Sequence, residues 1–324
     1  MRPRGVPLVR AYLLRRALQA VFVLWAAFTA TFAILYMLPS NPVAIMLDAG
    51  GEGTQVDPEK VAELTARYGF DKPVWEQYLT RLWAAVRGDF GSSIQTGQPV
   101  TGSILDALPE TLKLASIGLV LAVVIGASLA LVATWTQARW LRQALLALPP
   151  LGVSVPTFWV GLVLLQVVSF QWALLPAMGN VGWQTLVLPS LTLAIPTSAV
   201  IAQVLAKSLS TTWDQPFVET ARAKGTPRLH IHLRDVLRNA AIPTLTLVGI
   251  TVGNLLAGSV VVETVFSRNG IGRLTQQAVT FQDIPVVQGL VVLSAVIFVV
   301  VNLAVDLVYP ALDPRISQRT RAAV

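Results

Sequence analysis

Residues 143–206 read QALLALPPLGVSVPTFWVGLVLLQVVSFQWALLPAMGNVGWQTLVLPSLTLAIPTSAVIAQVLA, without a single charged side chain. A membrane helix needs roughly 20 mostly apolar residues to cross the hydrocarbon core, so this stretch is too long for one span and fits two. Helix-breaking and polar residues cluster in its middle: Gln171, Pro176, Gly179, Asn180, Gly182 and Gln184. The stretch therefore predicts two membrane helices joined by a solvated turn.

Four further uncharged runs have the length of a membrane span: residues 17–38, 114–136, 239–262 and 284–305. Hydrophobic residues make up 54% of the 324 and charged residues only 13%, well below the charged share of a soluble domain. The first run is longer than the apolar region of a signal peptide, and no cleavage site follows it, so we expect a retained helix. The predicted fold class is all-α, a polytopic membrane protein with six transmembrane helices.

Lysine and arginine residues concentrate on one side of these six spans. They crowd the two tails and the loops after the second and fourth spans, whereas the long first loop is acidic. Because cytoplasmic loops carry the excess of basic residues, both termini are predicted to be cytoplasmic. The net charge of +7 then reflects topology, and no nucleic-acid partner is expected. The predicted segments are a tail at 1–16, the first helix at 17–38, an extracytoplasmic loop at 39–111, a transmembrane domain at 112–306 with a cytoplasmic loop at 207–238, and a tail at 307–324.

The composition disfavours several kinds of chemistry. With no cysteine and two histidines, the chain has no thiolate site and little material for a metal site; His230 and His232 are expected at the surface. No Gly-Lys pair occurs, so there is no phosphate-binding Walker A loop. No catalytic set falls within the spans, which disfavours an intramembrane enzyme. Glu263 is the one acid at an outer helix end, where it can cap a helix or pair with Arg268 or Arg273.

Polar residues inside the spans are few. Asn254, Asn302 and Gln166 are the main ones, and Asp306 lies only at the edge of the last span. A secondary transporter driven by an ion gradient usually places ionisable residues within its spans, so this alternative stays open with little support. For the amides of Asn254 and Asn302, hydrogen bonds between helices are predicted in preference to contact with a substrate.

The first loop contains a predicted amphipathic helix. Asp71 and Pro73 are expected to cap and open it, and Gly88 and Gly91 to end it. Its apolar residues recur at helical spacing: Trp75, Tyr78, Leu79, Leu82 and Val86. Two interpretations stay open, a helix lying at the membrane surface and a docking or gating element for a partner outside.

The loop between the fourth and fifth spans encodes two helices joined by a glycine. Asp214 is expected to cap a short helix that begins near Pro216. Gly225 ends this helix, because glycine tolerates the left-handed conformation of a helix end. Thr226 and Pro227 then start the second helix. Small side chains on the first helix would let a partner approach closely, so a protein contact is predicted there.

The segment Glu219-Thr-Ala221-Arg-Ala-Lys-Gly225 resembles the EAA motif, E-x-A-x-x-x-G, of permease subunits in bacterial ABC importers. The continuation Leu237-Arg-Asn-Ala240 with Pro243 is similar to the dipeptide, oligopeptide and nickel branch of that family. Further similar stretches follow in order along the chain: Gly69-Phe-Asp-Lys-Pro73, Arg87-Gly-Asp-Phe-Gly91, Leu108-Pro-Glu-Thr-Leu112, Val261-Val-Glu-Thr-Val-Phe266, Pro285-Val-Val-Gln-Gly289 and Leu312-Asp-Pro-Arg315.

This resemblance implies a fold, a role and a set of partners. The fold is that of a type I ABC importer permease in the bacterial inner membrane. The role is to form half of the pathway for a peptide, a nickel or metal chelate, or a glutathione-like molecule. The implied partners are a second homologous permease, two cytoplasmic ATPase subunits, an extracytoplasmic substrate-binding protein and the lipid bilayer. ATP and Mg²⁺ would belong to the ATPases, so no cofactor, metal site or catalytic residue is expected in this chain.

The resemblance also implies site residues. In the family the EAA helix is a coupling helix that sits in a groove of the ATPase, and the first external loop meets the binding protein. The positions carried over to the ATPase contact are Glu219, Thr220, Ala221, Arg222, Ala223, Lys224 and Gly225. The chain departs from the family pattern at three places: Ser40-Asn41, Asp235 and Arg268-Asn269. None of these departures removes the glycine of the motif.

Overall fold

The computed structural model describes residues 6–37, 62, 65, 66, 69 and 71–312. Within these residues the regular structure is helical, and the one β-type contact is an isolated bridge between Ser92 and Pro99. The helices are α1 (Val6–Met37), α2 (Val74–Val86), α3 (Val100–Trp135), α4 (Arg139–Ser154), α5 (Thr157–Leu164), α6 (Gln184–Trp213), α7 (Pro216–Ala223), α8 (Arg228–His230), α9 (Leu237–Val265), α10 (Ile271–Thr280) and α11 (Ile284–Leu312). Two π-helical segments, Leu165–Gln171 and Ile231–Val236, continue α5 and α8. The all-α prediction is confirmed.

Among the described residues, five helical stretches are long and apolar enough to cross a membrane. They lie in α1, in α3, in α6, in α8 together with α9, and in α11. α4 and the helix that follows it pass the same test as a pair, bent by 103°. Counting that pair as one span gives the predicted six. The bend falls at Val155, whose ψ is 127°, because the residue before a proline disfavours the helical conformation.

The turn predicted within the long uncharged stretch lies at residues 172–183, before α6. The described chain divides into two compact units: residues up to Leu108 with Leu274–Val300, and Pro109–Arg273 with the residues from Val301 onwards. Each unit is described separately below.

In the first unit, α2 packs on α1 through Tyr78. The Tyr78 ring centroid lies 5.3 Å from that of Phe32 and 6.0 Å from that of Phe28. The Tyr78 hydroxyl accepts a hydrogen bond from Trp25 Nε1 at 3.0 Å. Large apolar side chains on the rest of α2 are exposed: Trp75, Leu79, Trp83 and Val86. One side of α2 therefore packs on α1, and another side presents an exposed apolar surface.

In the second unit, α3, α6 and α9 build the core. One cluster of buried apolar side chains in this unit consists of Leu114, Leu165, Leu188, Leu193, Leu255, Val262 and Phe266. α3 and α6 approach closely at Gly126, where an added Cβ would lie 2.6 Å from the Ser198 carbonyl oxygen. Small residues allow such close contact between membrane helices, and only glycine fits this one.

Three helix caps predicted from the sequence are wrong. No side chain caps α2, α7 or α8, and the boundary residues are Pro73, Gln215 and Pro227. The predicted caps precede these boundaries by one or two residues: Asp71, Asp214 and Thr226. A proline at or next to each boundary presets φ there, so the starts rest on proline geometry instead of a side-chain cap.

Candidate functional site

α7 is the short helix that contains the EAA-like motif. Proline fits its first position because the ring presets φ and no N–H is needed there. Gly225 follows the helix with a φ of +78°, and its amide donates to the Arg222 carbonyl at 2.9 Å. The Thr226 amide donates to the Ala221 carbonyl at 3.1 Å, so the end is closed by a Schellman motif. The predicted glycine break is confirmed.

One face of α7 is buried against neighbouring helical segments of the second unit. Val218 is fully buried and packs in one cluster with Leu209, Ile231 and Val236, and Ala221 lies beside that cluster. Burying a valine side chain stabilises by about 1.5–3 kcal/mol. Because the partners come from α6 and from the π-helical segment after α8, α7 is fastened to the ends of two long helical stretches.

The remaining surface of α7 holds most of the residues that the resemblance assigns to the ATPase contact. Six of those seven are exposed: Glu219, Thr220, Arg222, Ala223, Lys224 and Gly225. Ala221 differs, because it is partly buried against the cluster beneath the helix. The structure thus brings six of the residues together on an exposed stretch, which we call the coupling surface.

A cavity of about 910 Å³ opens beside α7. Its walls carry charged side chains of both signs: Arg142, Arg222, Arg228, Asp214 and Glu219. Within the part of the chain that the structure describes, Arg142, Arg222, Asp214 and Glu219 form no ion pair. Three of these side chains, those of Arg142, Asp214 and Glu219, are exposed at the cavity, where a charged partner could pair with them.

The two histidines differ in their environment. His230 is exposed, as predicted, but the prediction for His232 is wrong, because this residue is only 1% exposed. Its segment is π-helical, and the wider turn changes which side chains face inward. Ile231, His232 and Val236 are buried, whereas Leu233 is exposed.

Two tryptophans that sequence reasoning missed lie beside His232. Trp135 ends α3 and Trp213 ends α6, and both ring centroids lie 5.5 Å from that of His232. Neither residue belongs to a recognisable motif. The only signal that could have suggested them is the position of each at the end of an apolar run.

A second candidate site is a buried charged network in the second unit. Glu263 and Arg268 are each 1% exposed. The Glu263 carboxylate accepts hydrogen bonds from the Thr111 hydroxyl at 2.6 Å and from the Gly272 and Arg273 amides at 2.7 and 3.2 Å. The last two are among the first amides of α10, so Glu263 caps this helix from a distance in sequence. The predicted capping role is confirmed.

Arg268 belongs to the same network. It donates to the carbonyls of Gly179 and Thr185 at 2.9 and 3.1 Å and to the Glu110 carboxylate at 2.8 Å. Burial lowers the pKa of the Arg268 guanidinium, and attraction to Glu110 and Glu263 opposes that effect. Because arginine keeps its proton in proteins, the site holds a buried and paired cation.

Two glycines let the backbone close over Glu263. A Cβ at Gly270 would lie within 2.4 Å of the Glu263 carboxylate, and one at Gly272 would lie 2.3 Å from Val260 Cα. No side chain fits at either position without moving the network. The arrangement is a rigid joint between the end of α9 and the start of α10.

The first unit contains a comparable buried acid that sequence reasoning also missed. Asp283, which is 2% exposed, precedes α11. Its carboxylate accepts hydrogen bonds from the Ser93 hydroxyl and from the Ile94 and Gln95 amides, the latter two at 3.2 and 3.3 Å. Asp283 therefore ties the loop before α3 to the start of α11.

The in-span asparagines were expected to bond between helices. Asn254 is instead exposed near the middle of α9 and forms no hydrogen bond with another described residue, so that prediction is wrong for it. The side chain of Asn302 lies outside the described residues. An amide left on the surface of a membrane helix is costly unless it meets water or a polar partner.

Among the described residues, no group of three or more His, Asp or Glu side chains is arranged to hold a metal ion. The two sites differ in kind: one is an anchored short helix with an exposed surface, and the other is a buried charged network.

Two family models match the chain. Residues 118–318 match the family described as "Binding-protein-dependent transport system inner membrane component", and residues 9–115 match its N-terminal companion, "Binding-prot-dependent transport system membrane comp, N-term". Together these models cover the first unit, the second unit and the coupling surface.

Curated relatives match over almost the full length. The dipeptide transport system permease protein DppB of Alkalihalophilus pseudofirmus is 32% identical over 94% of this chain and 99% of its own. DppB of Escherichia coli K12 is 34% identical over 89% of this chain and 93% of its own. The glutathione transport system permease protein GsiC of Escherichia coli K12 is 34% identical over 94% and 98%.

Two solved structures share the fold. An amino acid ABC transporter crystallised with histidines matches with a TM-score of 0.53 at 18% identity, covering 65% of this chain and 94% of its own. The inward-facing methionine ABC transporter MetNI matches with a TM-score of 0.54 at 19% identity, covering 65% and 96%.

Proposed function

Since the chain belongs to the family of binding-protein-dependent transport system inner membrane components and is a permease subunit of an ABC importer, we propose that it forms half of a translocation pathway and engages an ATPase through α7. The observation that carries this proposal is the anchoring of α7. Its buried Val218 and its glycine-closed end hold the helix to α6 and to the segment before α9, while the coupling surface stays exposed. A partner that pushes on this surface would therefore move membrane helices.

The proposed assembly contains a second homologous permease, two cytoplasmic ATPase subunits that bind ATP and Mg²⁺, and an extracytoplasmic binding protein. The family description, which names a binding-protein-dependent system, supports the last of these. The chain itself is a transport subunit of the inner membrane and not an enzyme. Its relatives are permeases of dipeptide and glutathione systems, which argues against the secondary-transporter alternative.

The coupling contact can be tested with a matched pair of substitutions. Ala223→Trp adds bulk to the coupling surface, and Ala173→Trp adds the same bulk to another exposed alanine, in the turn at residues 172–183. We expect Ala223→Trp to abolish co-purification of an ATPase subunit in mild detergent and Ala173→Trp to preserve it. An ATPase that binds both variants equally well would contradict the proposed contact.

We also propose that both termini and α7 are cytoplasmic and that residues 172–183 are extracytoplasmic. The chain has no cysteine, so each side can be probed with one introduced thiol. Val181 and Gln215 are both exposed, and Gln215 directly precedes α7 outside the coupling surface. In intact cells a membrane-impermeant maleimide should label Val181→Cys and should label Gln215→Cys only after lysis. The reverse pattern would overturn the orientation.

Asn254 is the proposed pathway residue. Its exposed amide, within a span and without a described partner, is best explained by a water-filled pathway rather than lipid. Val124, an exposed apolar residue of α3, serves as the control. We expect Asn254→Cys in the assembled transporter to react with a hydrophilic thiol reagent and Val124→Cys to stay unreactive. Equal reactivity would remove the pathway assignment.

The substrate is proposed to be a short peptide or a glutathione-like molecule. This rests on the names of the relatives, which transport dipeptides and glutathione. Uptake of a labelled dipeptide and of labelled glutathione, in cells that contain the complete system or lack only this chain, would separate the two. Uptake that does not depend on this chain for either molecule would exclude both.

A further inference from the structure

Five side chains from five different structural segments meet at α7. They are Trp135 at the end of α3, Trp213 at the end of α6, Arg222 in α7, Arg228 in α8 and His232 in the π-helical segment before α9. All five lie in the second unit. We call them the aromatic clamp.

His232 is the centre of the clamp. Its ring is nearly parallel to that of Trp213, at 22°, and is tilted by 44° to that of Trp135, with both centroid distances at 5.5 Å. Trp213 Nε1 donates a hydrogen bond to His232 Nδ1 at 3.0 Å, which requires the neutral imidazole with its proton on Nε2. Both the direction and the plane of the imidazole are therefore fixed.

Two arginines attach the α7 region to these rings. The Arg222 guanidinium lies 5.2 Å from the Trp213 ring centroid, and the Arg228 guanidinium lies 4.8 Å from that of Trp135. Arg228 Nη2 also donates to the Trp135 carbonyl at 3.0 Å. Cations over tryptophan faces are the strongest of the cation–π contacts, and the hydrogen bond adds a direction to one of them.

The clamp is more than part of the apolar core. Arg222 belongs to the exposed coupling surface, yet within the described chain its one specific contact is with Trp213, at the end of a membrane helix. Arg228 stands just after the Gly225 break and reaches back to the end of α3. A displacement of α7 would therefore reach α3 and α6 through side chains that keep a defined orientation.

We propose that the aromatic clamp is the transmission element that converts movement of α7 into movement of α3, α6 and α9 during the transport cycle. Trp135, Trp213 and His232 are positioning residues in this assignment, and they touch neither ATP nor substrate. The inference rests on the proposed function, because it requires that an ATPase moves α7. It goes beyond that function by naming the side chains through which the force passes.

The test compares two losses of packing. Trp213→Ala removes the central tryptophan of the clamp, and Trp213→Phe keeps a ring but removes the hydrogen bond to His232. Leu255→Ala, in the separate core cluster around Phe266, is the control for general destabilisation. The complete transporter carrying each variant is measured for thermal stability, ATP hydrolysis and substrate uptake in proteoliposomes.

We expect Trp213→Ala to lower the number of substrate molecules transported per ATP about tenfold, a change within the usual range of coupling between sites. Trp213→Phe should show an intermediate ratio. Leu255→Ala should lower thermal stability and leave the ratio unchanged. If Trp213→Ala and Leu255→Ala change the ratio equally, the clamp is ordinary packing and the proposal fails.

A spin label gives an independent measurement of the same step. Gln215→Cys places the single thiol of the chain at the start of α7, outside the coupling surface. In the Trp213→Ala background we expect faster motion of this label at unchanged ATPase co-purification. Unchanged label motion together with an unchanged transport ratio would refute the clamp. If no ATPase subunit co-purifies with the unmodified chain, the proposed function itself is refuted.

Discussion

Arg268→Met should be among the most destabilising single substitutions in the second unit. It leaves the carbonyls of Gly179 and Thr185 without a donor and removes the cation beside Glu110 from a buried site. Removing one partner of a buried pair costs about 3–5 kcal/mol. Because a domain of this size loses about 2–4 °C per kcal/mol, the unfolding midpoint should fall by about 6–20 °C.

Glu110→Gln is the matched control on the other side of the pair. The amide oxygen of glutamine can still accept from Arg268, and Glu110 is partly exposed, with its side chain at 22%. We therefore expect a loss of only about 1–2 kcal/mol. The double variant should lose less than the sum of the two single losses, because neither charge then remains buried without its partner.

The midpoint of thermal unfolding can be measured through the reactivity of a single buried thiol. Ala194 is fully buried in α6, and the chain has no other cysteine, so Ala194→Cys reacts with a fluorogenic maleimide only on unfolding. Each variant is introduced into this background and heated in detergent. A midpoint for Arg268→Met within about 2 °C of the parent protein would refute the stabilising role of the network.

Three further predictions use the same thiol assay or uptake. Gly272→Ala should lower the midpoint by several degrees because its Cβ meets the α9 backbone, whereas Gly253→Ala, in open space on α9, should leave it unchanged or slightly higher. The Gly225→Val protein should stay inserted and assembled but lose uptake, because valine is strained at a φ of +78° and the end of α7 would rearrange. Normal uptake by this variant would contradict the prediction. Asp283→Asn should lower the free energy of unfolding by about 1–3 kcal/mol, because an amide offers one acceptor oxygen where the loop needs two. Asp89→Asn, at an exposed position, is the control, and equal unfolding midpoints for the two variants would contradict the anchoring role of Asp283.

The sequence predicts those structural elements that are determined by residues close together in the chain. Uncharged runs determine where spans lie, since hydrocarbon tolerates few charges. Gly225 ends α7 because a single backbone conformation requires it, and the Schellman hydrogen bonds follow from that conformation. The EAA-like residues could likewise be placed on a short exposed helix, because proline and glycine bound it on both sides.

The parts that escaped prediction depend on residues far apart in the chain. Asp283 reads as an ordinary polar residue before a helix, yet its partner Ser93 lies 190 positions away. His232 reads as a surface residue because an α-helical period puts it there, but the π-helical turn and Trp213 bury it. Asn254 reads as a core amide, and only packing of the other helices reveals that its face of α9 is left uncovered.

The π-helical segment Ile231–Val236 also has a consequence for exchanging parts between this chain and its relatives. A junction inside it that adds or drops one residue would rotate the whole of α9 by about 100°. Glu263, at the far end of that helix, would then turn away from Thr111 and the start of α10. Hybrid permeases should therefore be joined at Gly225, where the backbone already breaks, so that α8, the π-helical segment and α9 are inherited as one block.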